Sequence, residues 1–299
     1  MLNLAIVLED SAREFPGRDA VVCGPTRLTY SDVDAAASQV AGGLIAHGIK
    51  PGDRVALTCP NVPWFPIVYF GILKAGAVVV PLNILLTERE IAYHLADSEA
   101  RAYFCFEGGA GLATGKSGAA AFRSTPGCEH FVLIMADPQT SAPEPGVETL
   151  AEFTHRQPTA CPSARTAETD TAVVLYTSGT TGQAKGAELT HSNMVHNALL
   201  ANRLFGLHPH DVHLTVLPLF HSFGQTVQMN AGFATGATIV LVPRFEPLTA
   251  IEAPTTGPPL ASITVPVIVR SCAVTCPISK AQQHRKRNNL LISISFCND

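Results

Sequence analysis

Apolar residues recur at helical spacing in several stretches of the chain. Asn3 to Phe15 carries Leu4, Val7 and Leu8 on one helical face. Tyr30 to His47 reads as a second helix, with Ser31 as N-cap, Asp34 three positions on and Gly48 just past its end. Asn61 to Ala75, closed by Gly76, and Glu88 to Asp97 are two more. Short β-branched runs lie among them: Asp53 to Thr58, Val78 to Pro81, Ala102 to Phe106 and Glu129 to Met135. Helices alternating with buried strands predict an α/β fold with a layered, largely parallel sheet.

Asp137 to Thr169 breaks the alternation. Pro138, Pro143, Pro145, Gly146, Pro158 and Pro162 punctuate it, so it reads as a long surface connection (about 137–169) with one short helix near Leu150 to His155. The pattern then resumes, with strands at Ala172 to Tyr176, Val212 to Leu217 and Ala237 to Val242. Helices are expected at Ser192 to Leu204 and Gln225 to Ala234. No internal repeat is visible.

Composition narrows the class. Of 299 residues 46% are hydrophobic and 15% charged, too apolar for a disordered chain. The 23 Gly and 22 Pro show no collagen-like triplet. The best membrane candidate, Ile67 to Leu82, is shorter than a span of roughly 18 residues and carries Lys74. The first residues lack a basic region and place Glu9 and Asp10 early, so no secretion signal is expected and the location reads as cytoplasmic. The eight Cys then read as reduced thiols. A net charge of −4 argues against a nucleic-acid partner.

The charge is unevenly placed. Residues 248–299 hold five basic residues (Arg270, Lys280, Arg285, Lys286, Arg287) against Glu252 and Asp299, and one Gly, Gly257. That leaves 15 basic and 22 acidic residues in 1–247, a net of −7 before a tail of +3. The tail is expected to be irregular and foreign to the preceding fold. Cys272, Cys276 and His284 match no common zinc spacing, and Lys280 to Arg287 reads as a solvated basic run. Trp64, Phe65, Tyr69 and Phe70 read as core rather than as a cofactor box.

Tyr176 to Gly186 (YTSGTTGQAKG) is the most informative segment. It follows a buried strand. Thr177, Ser178, Gly179, Thr180, Thr181 and Gly182 can turn backbone N–H groups and hydroxyls toward phosphate oxygens, and Lys185 adds a point charge. It is not a Walker A loop, because Gly179 and Gly182 are separated by two residues instead of four.

This segment resembles the phosphate-binding loop of the adenylate-forming superfamily, which includes acyl-CoA synthetases, luciferases and peptide-synthetase adenylation domains. Ala184 stands where relatives usually carry Pro. Leu189 to Asn193 (LTHSN) resembles the start of the following helix. Pro218 to Gly224 (PLFHSFG) resembles the family's PLFHxxG segment and favours the acyl-CoA synthetase branch, especially fatty-acid ligases. Leu28 to Tyr30, Gly52 to Ala56, Gly76 to Asn83, Gly236 to Thr238 and Pro243 to Phe245 also match recurrent family segments, so the resemblance covers about residues 1–247.

The resemblance implies the N-terminal region of an ATP-dependent ligase. A carboxylate would attack the α-phosphate, and CoA would displace AMP. Thr177, Ser178, Gly179, Thr180, Thr181, Gly182 and Lys185 would bind nucleotide, with Lys185 and Thr181 as catalytic residues. Phe220, His221 and Gly224 would line the acid site, with His221 steering the carboxylate. ATP, Mg²⁺ and coenzyme A are the implied small molecules, a carboxylic acid the substrate, and no protein metal ligand is assigned. The family's aromatic-Gly-x-Thr-Glu, Thr-Gly-Asp and hinge segments are not found in the chain. An incomplete C-terminus and inactivity in isolation are therefore expected. Uncovered sheet edges would favour self-association. A non-catalytic nucleotide-binding remnant and an aryl-acid or luciferase-like enzyme are the alternatives.

Overall fold

Helix α1 (Ile6–Glu14) is followed by the antiparallel pair β1 (Asp19–Cys23) and β2 (Thr26–Thr29). Then come α2 (Tyr30–Ala46), β3 (Arg54–Thr58), α3 (Trp64–Lys74), β4 (Val78–Leu82), α4 (Glu88–Asp97), β5 (Ala100–Phe106), α5 (Thr114–Arg123) and β6 (His130–Ile134). Next are β7 (Glu148–Thr149), α6 (Leu150–Thr154), β8 (Thr171–Thr177), β9 (Lys185–Thr190), α7 (His191–Phe205) and β10 (Val212–Thr215). A π-helix over Gly224–Asn230, α8 (Ala231–Thr235) and β11 (Thr238–Leu241) follow. The computed structural model describes residues 1–109, 112–177 and 183–243. All lie in Met1–Pro243, the first of two units into which the chain divides.

Seven strands form one sheet in the order β7-β6-β5-β3-β4-β8-β9, parallel except for the β8–β9 hairpin. Four more form a second sheet, β10-β11-β1-β2, with β1–β2 its antiparallel pair. The expected layered, largely parallel α/β architecture is present.

Strand parity explains the layers. Val55 and Leu57 of β3, Val79 of β4 and Phe104 of β5 join one apolar cluster with α2 and α3. Their neighbours Ala56, Val78, Val80, Tyr103 and Cys105 join another with Ile91 and Leu95 of α4 and Ala121 of α5. Side chains alternate across a strand, so a strand buried on both faces must be apolar throughout. β4, reading VVVPL and buried at every position, is the clearest case. The connection through α3 covers one face of the large sheet. Those through α4 and α5 cover the other and run back along it, as right-handed crossovers require. The first cluster also takes in Val21 and Ile239 of the small sheet, so α2 and α3 share a core with both sheets.

The local details depart from the sequence reading in several places. The N-cap of α2 is Thr29, with Asp32 completing the capping box, rather than Ser31 with Asp34. Thr29 ends β2 in an extended conformation, which aims its side chain at the first helical turn. Ser31 instead donates to the Pro16 carbonyl at 2.9 Å. The β1–β2 pair, α5, β7 and β9 lie where no element was anticipated. Gln225 to Ala234 divides into the π-helix and α8. The Pro-rich connection contains α6 as expected, but near its end it is strapped to the body. Thr166 Oγ1 donates to the Leu2 carbonyl at 2.7 Å, and the Ala164 N–H donates to the Lys74 carbonyl at 2.8 Å.

Lys74 is the buried charge of this fold, with its side chain 2% exposed. Its ammonium donates to Glu9 of α1 at 2.8 Å, and Asp34 of α2 lies 2.9 Å away as an ion contact. Burial pushes the Lys74 pKa down, but hydrogen bonds and charge from the two carboxylates outweigh it, and the net shift is upward. Its stabilisation is therefore complete below the ordinary lysine value of about 10.4 and is lost as pH rises through the higher folded value. Burial holds His191 below its ordinary range, so it resists protonation. Its contribution is complete above about pH 6.5 and declines as pH falls below that.

Lys74→Met is expected to destabilise the chain by about 2–4 kcal/mol. That is below the figure for a fully enclosed pair, because Glu9 and Asp34 keep some contact with water. The parent's urea midpoint should decline below about pH 6.5 and above about pH 10, and the variant should lose much of the alkaline decline. Equal midpoints for parent and variant at neutral pH would remove Lys74 as a determinant of stability.

Candidate functional site

β8 and β9 are the two legs of the candidate phosphate loop. Their register pairs Tyr176 with Gly186 and Thr177 with Lys185, which brings the ends of the loop together. Thr177 and Lys185 are exposed at its mouth. The candidate residues Ser178, Gly179, Thr180, Thr181 and Gly182 lie outside the described residues. Gly186 packs closely, since a Cβ there would sit 2.8 Å from Val174 Cγ1 and 3.4 Å from the Tyr176 ring and would push those side chains aside.

Helix α4 touches both legs. The Tyr176 hydroxyl donates to Asp97 Oδ2 at 2.6 Å, and the Tyr93 hydroxyl donates to the Ala184 carbonyl at 2.9 Å. The His94 ring packs edge-on to Tyr176 with centroids 4.3 Å apart. Burial, reinforced by the Asp97 carboxylate, raises the Tyr176 pKa far enough to keep the phenol a donor at ordinary pH. No sequence motif singles out Tyr93 or Asp97, although their i, i+4 spacing places them on one helical face.

The second leg runs into the LTHSN segment, whose residues have local structural work. Thr190 caps α7, and Asn193 completes the box. His191, 1% exposed, accepts the Leu4 N–H at Nδ1 over 3.0 Å, which requires an unprotonated nitrogen.

The Pro218 to Gly224 segment is held from beneath by Asn61, 4% exposed. Its Nδ2 donates to the Leu217 carbonyl at 2.9 Å and to the Thr215 carbonyl at 3.3 Å, and its Oδ1 accepts the Leu219 N–H at 2.9 Å. Gly224 packs so closely on the Pro218 carbonyl that any Cβ would collide with it. The π-helix begins there, and such turns concentrate at functional sites. Its buried Gln225 accepts from the Tyr69 hydroxyl at 3.3 Å, and Asn230 donates to the same hydroxyl at 3.3 Å. Phe220 is half-buried against the large core cluster. His221 is exposed, and its Nδ1 accepts the Phe223 N–H at 3.4 Å.

Asn61 follows the C-terminal end of β3, and the candidate loop follows the C-terminal end of β8. β3, β4 and β8 are parallel neighbours, so both segments belong to the same edge of the sheet. Open α/β sheets bind ligands at that edge. Among the described residues no hydrogen bond joins the two segments, and no group of three or more His, Cys, Asp or Glu could hold a metal. Asn61, Tyr93 and Asp97 are the supporting residues that the motifs did not reveal.

Residues 8–294 match the AMP-binding enzyme family, so the match continues beyond residue 247. A crotonobetaine/carnitine–CoA ligase of Escherichia coli O7:K1 (strain IAI39 / ExPEC) is 29% identical over a 298-position alignment that covers 95% of this chain and 55% of the relative. The chain thus spans about half the length of the curated relatives it matches. Among solved structures, the anthranilate CoA ligase AuaEII in complex with anthranoyl-AMP superposes with a TM-score of 0.74 and 27% identity, over 81% of this chain and 45% of that one. ATP-bound MatB from Rhodopseudomonas palustris gives a TM-score of 0.71 and 28% identity, over 82% of this chain and 46% of that one.

Asn61→Ala would leave the buried Leu219 N–H without its acceptor. We expect a loss of about 2–3 kcal/mol in urea unfolding with little change in far-UV circular dichroism. A stability equal to the parent's would show that the Pro218 to Gly224 segment does not depend on this anchor.

Proposed function

The chain belongs to the AMP-binding enzyme family, and from that premise we propose that it is the N-terminal portion of an ATP-dependent acyl-CoA ligase working through an acyl-adenylate. The observation that carries this reading is the β8–β9 register, which sets Thr177 opposite Lys185 across the mouth of the Ser178 to Gly182 loop. A carboxylate oxygen would attack the α-phosphorus of ATP as the bond to pyrophosphate breaks. The CoA sulfur would then attack the acyl carbon, giving up its proton, and AMP would leave. The first step brings a carboxylate to a polyanion and builds charge on the departing pyrophosphate. Fixed donors and a cation stabilise that charge most where they need no rearrangement. Thr177, Ser178, Gly179, Thr180, Thr181, Gly182 and Lys185 would bind the phosphates. Within that set, Lys185 and Thr181 are the proposed catalytic residues.

His221, exposed on the segment that Asn61 and Gly224 hold rigid, would steer the carboxylate beside Phe220. Mg²⁺ would arrive with ATP, and no protein ligand for it is proposed. The acid is a carboxylic acid, and within that class we propose a fatty acid on the strength of the PLFHSFG segment. Relatives named for carnitine and anthranilate define the competing choices. A cytoplasmic location agrees with the finding that no described helix is long and apolar enough to cross a membrane. Self-association would use strand edges such as β9, whose first four residues are exposed. The boundary near residue 247 and a separate 248–299 segment remain part of this proposal, although the family match itself runs to residue 294, and that segment lies outside the described residues.

Calorimetric titration with MgATP tests the nucleotide reading. The chain should bind, and Lys185→Ala should weaken binding by about tenfold or more, as expected for losing a charged contact. ATP–pyrophosphate exchange with fatty acids, carnitine and anthranilate should give no turnover from this chain. Robust exchange would show that the chain suffices for adenylation and would identify the acid. No MgATP binding would refute the nucleotide reading.

A further inference from the structure

We infer that helix α4 is a positioning brace for the nucleotide loop, with Tyr93 and Asp97 fixing the two legs from one rigid surface. The inference rests on the nucleotide reading above and adds residues outside the loop to it. Asp97 takes the Tyr176 hydroxyl on the incoming leg at 2.6 Å. Tyr93 donates to the Ala184 carbonyl on the outgoing leg at 2.9 Å, with Asp97 Oδ1 farther away at 3.4 Å.

Two features separate this contact from ordinary packing. Among the described residues the β8–β9 ladder ends at the Thr177–Lys185 pair, and Ala184 follows on the loop side. There the Tyr93 hydroxyl holds its carbonyl. The second feature is the stiffness of the brace. Thr87 and Glu90 form a capping box at the start of α4, and Ile91 and Leu95 are sunk in the core. The helix is also fixed just beyond its end, where Arg54 Nε donates to the Ser98 carbonyl at 2.7 Å. A loop that must hold several N–H groups at fixed distances from phosphate oxygens benefits from attachment to such an element. β9 supplies little support of its own, being exposed from Lys185 through Glu188.

The test uses the full 299-residue chain and four variants: Tyr93→Phe, Asp97→Ala, Asp97→Asn and Lys185→Ala. MgATP affinity is measured by calorimetry, melting temperature by circular dichroism, and amide exchange at Thr177, Lys185 and Gly186 by NMR or mass spectrometry. Tyr93→Phe and Asp97→Ala should each raise the Kd about fivefold, the effect of one hydrogen bond, and speed exchange at those amides. Their melting temperatures should stay within about 4 °C of the parent. Asp97→Asn retains an acceptor for the Tyr176 hydroxyl and should bind within about twofold of the parent. If Tyr93→Phe and Asp97→Ala bind MgATP like the parent while Lys185→Ala loses binding, the brace is refuted and the nucleotide reading stands. If Asp97→Asn is as impaired as Asp97→Ala, the acceptor role is wrong. If the parent binds no MgATP, the nucleotide reading fails and the inference fails with it.

Discussion

The Lys74 ammonium, near the end of a helix and almost sealed from water, sets the arrangement of much that surrounds it. Desolvating a charge costs several kcal/mol, so it can lie there only where counter-charges arrive from neighbouring elements. Glu9 comes from α1 and Asp34 from α2. The same corner gathers backbone partners. Asn3 Nδ2 donates to the Leu73 carbonyl at 2.8 Å, and Ser163 Oγ donates to Glu9 at 2.7 Å. The start of the chain, its first three helices and the strap leading into β8 therefore meet at one point. A buried ion pair adds little stability compared with an apolar replacement, but removing one partner is expensive. Its consequence in this chain is geometric, since the strap delivers β8, and β8 delivers the candidate loop.

The same economy recurs at the functional edge. Regular strands satisfy their backbone groups through the ladder, but the segments that would meet ligands are irregular. A buried irregular segment must find other partners. At Thr215 to Leu219 one asparagine supplies three. At the outgoing leg of the loop the Tyr93 hydroxyl serves the Ala184 carbonyl. In both places a side chain rooted in a core-packed region holds backbone at a strand end.

This explains which features could be read from the chain itself. The boundaries of α4 are local, set by a Thr–Glu cap and a 3.6-residue period, and the sequence expectation of Glu88 to Asp97 matches them. The apolar run at Val78 announces a strand buried on both faces. The loop and the PLFHSFG segment stand out because their composition is unusual for any other purpose. Asn61, Tyr93 and Asp97 do not stand out, because their partners lie 158, 91 and 79 residues away. Nothing in local spacing encodes such pairings. The α2 cap shows a subtler limit: Thr29 and Ser31 are both good caps, and the extended end of β2 decides between them.

Burial and exposure divide the labour at the candidate site. Gly224 lets the chain close on the Pro218 carbonyl, and the Tyr69, Gln225 and Asn230 network fixes the π-helix behind it. Those groups are buried and bonded, yet His221 beside them is exposed. On the other segment, Gly186 pairs across the strands with Tyr176, which α4 holds, and its neighbour Lys185 is exposed. An imidazole and an ammonium are thus exposed beside these packed groups. Electrostatic stabilisation is greatest when the donor is fixed before charge develops. A site for a polyanion and a carboxylate has reason to place its rigidity one layer below its polar heads, and the side chains around Asn61 and α4 form such a layer.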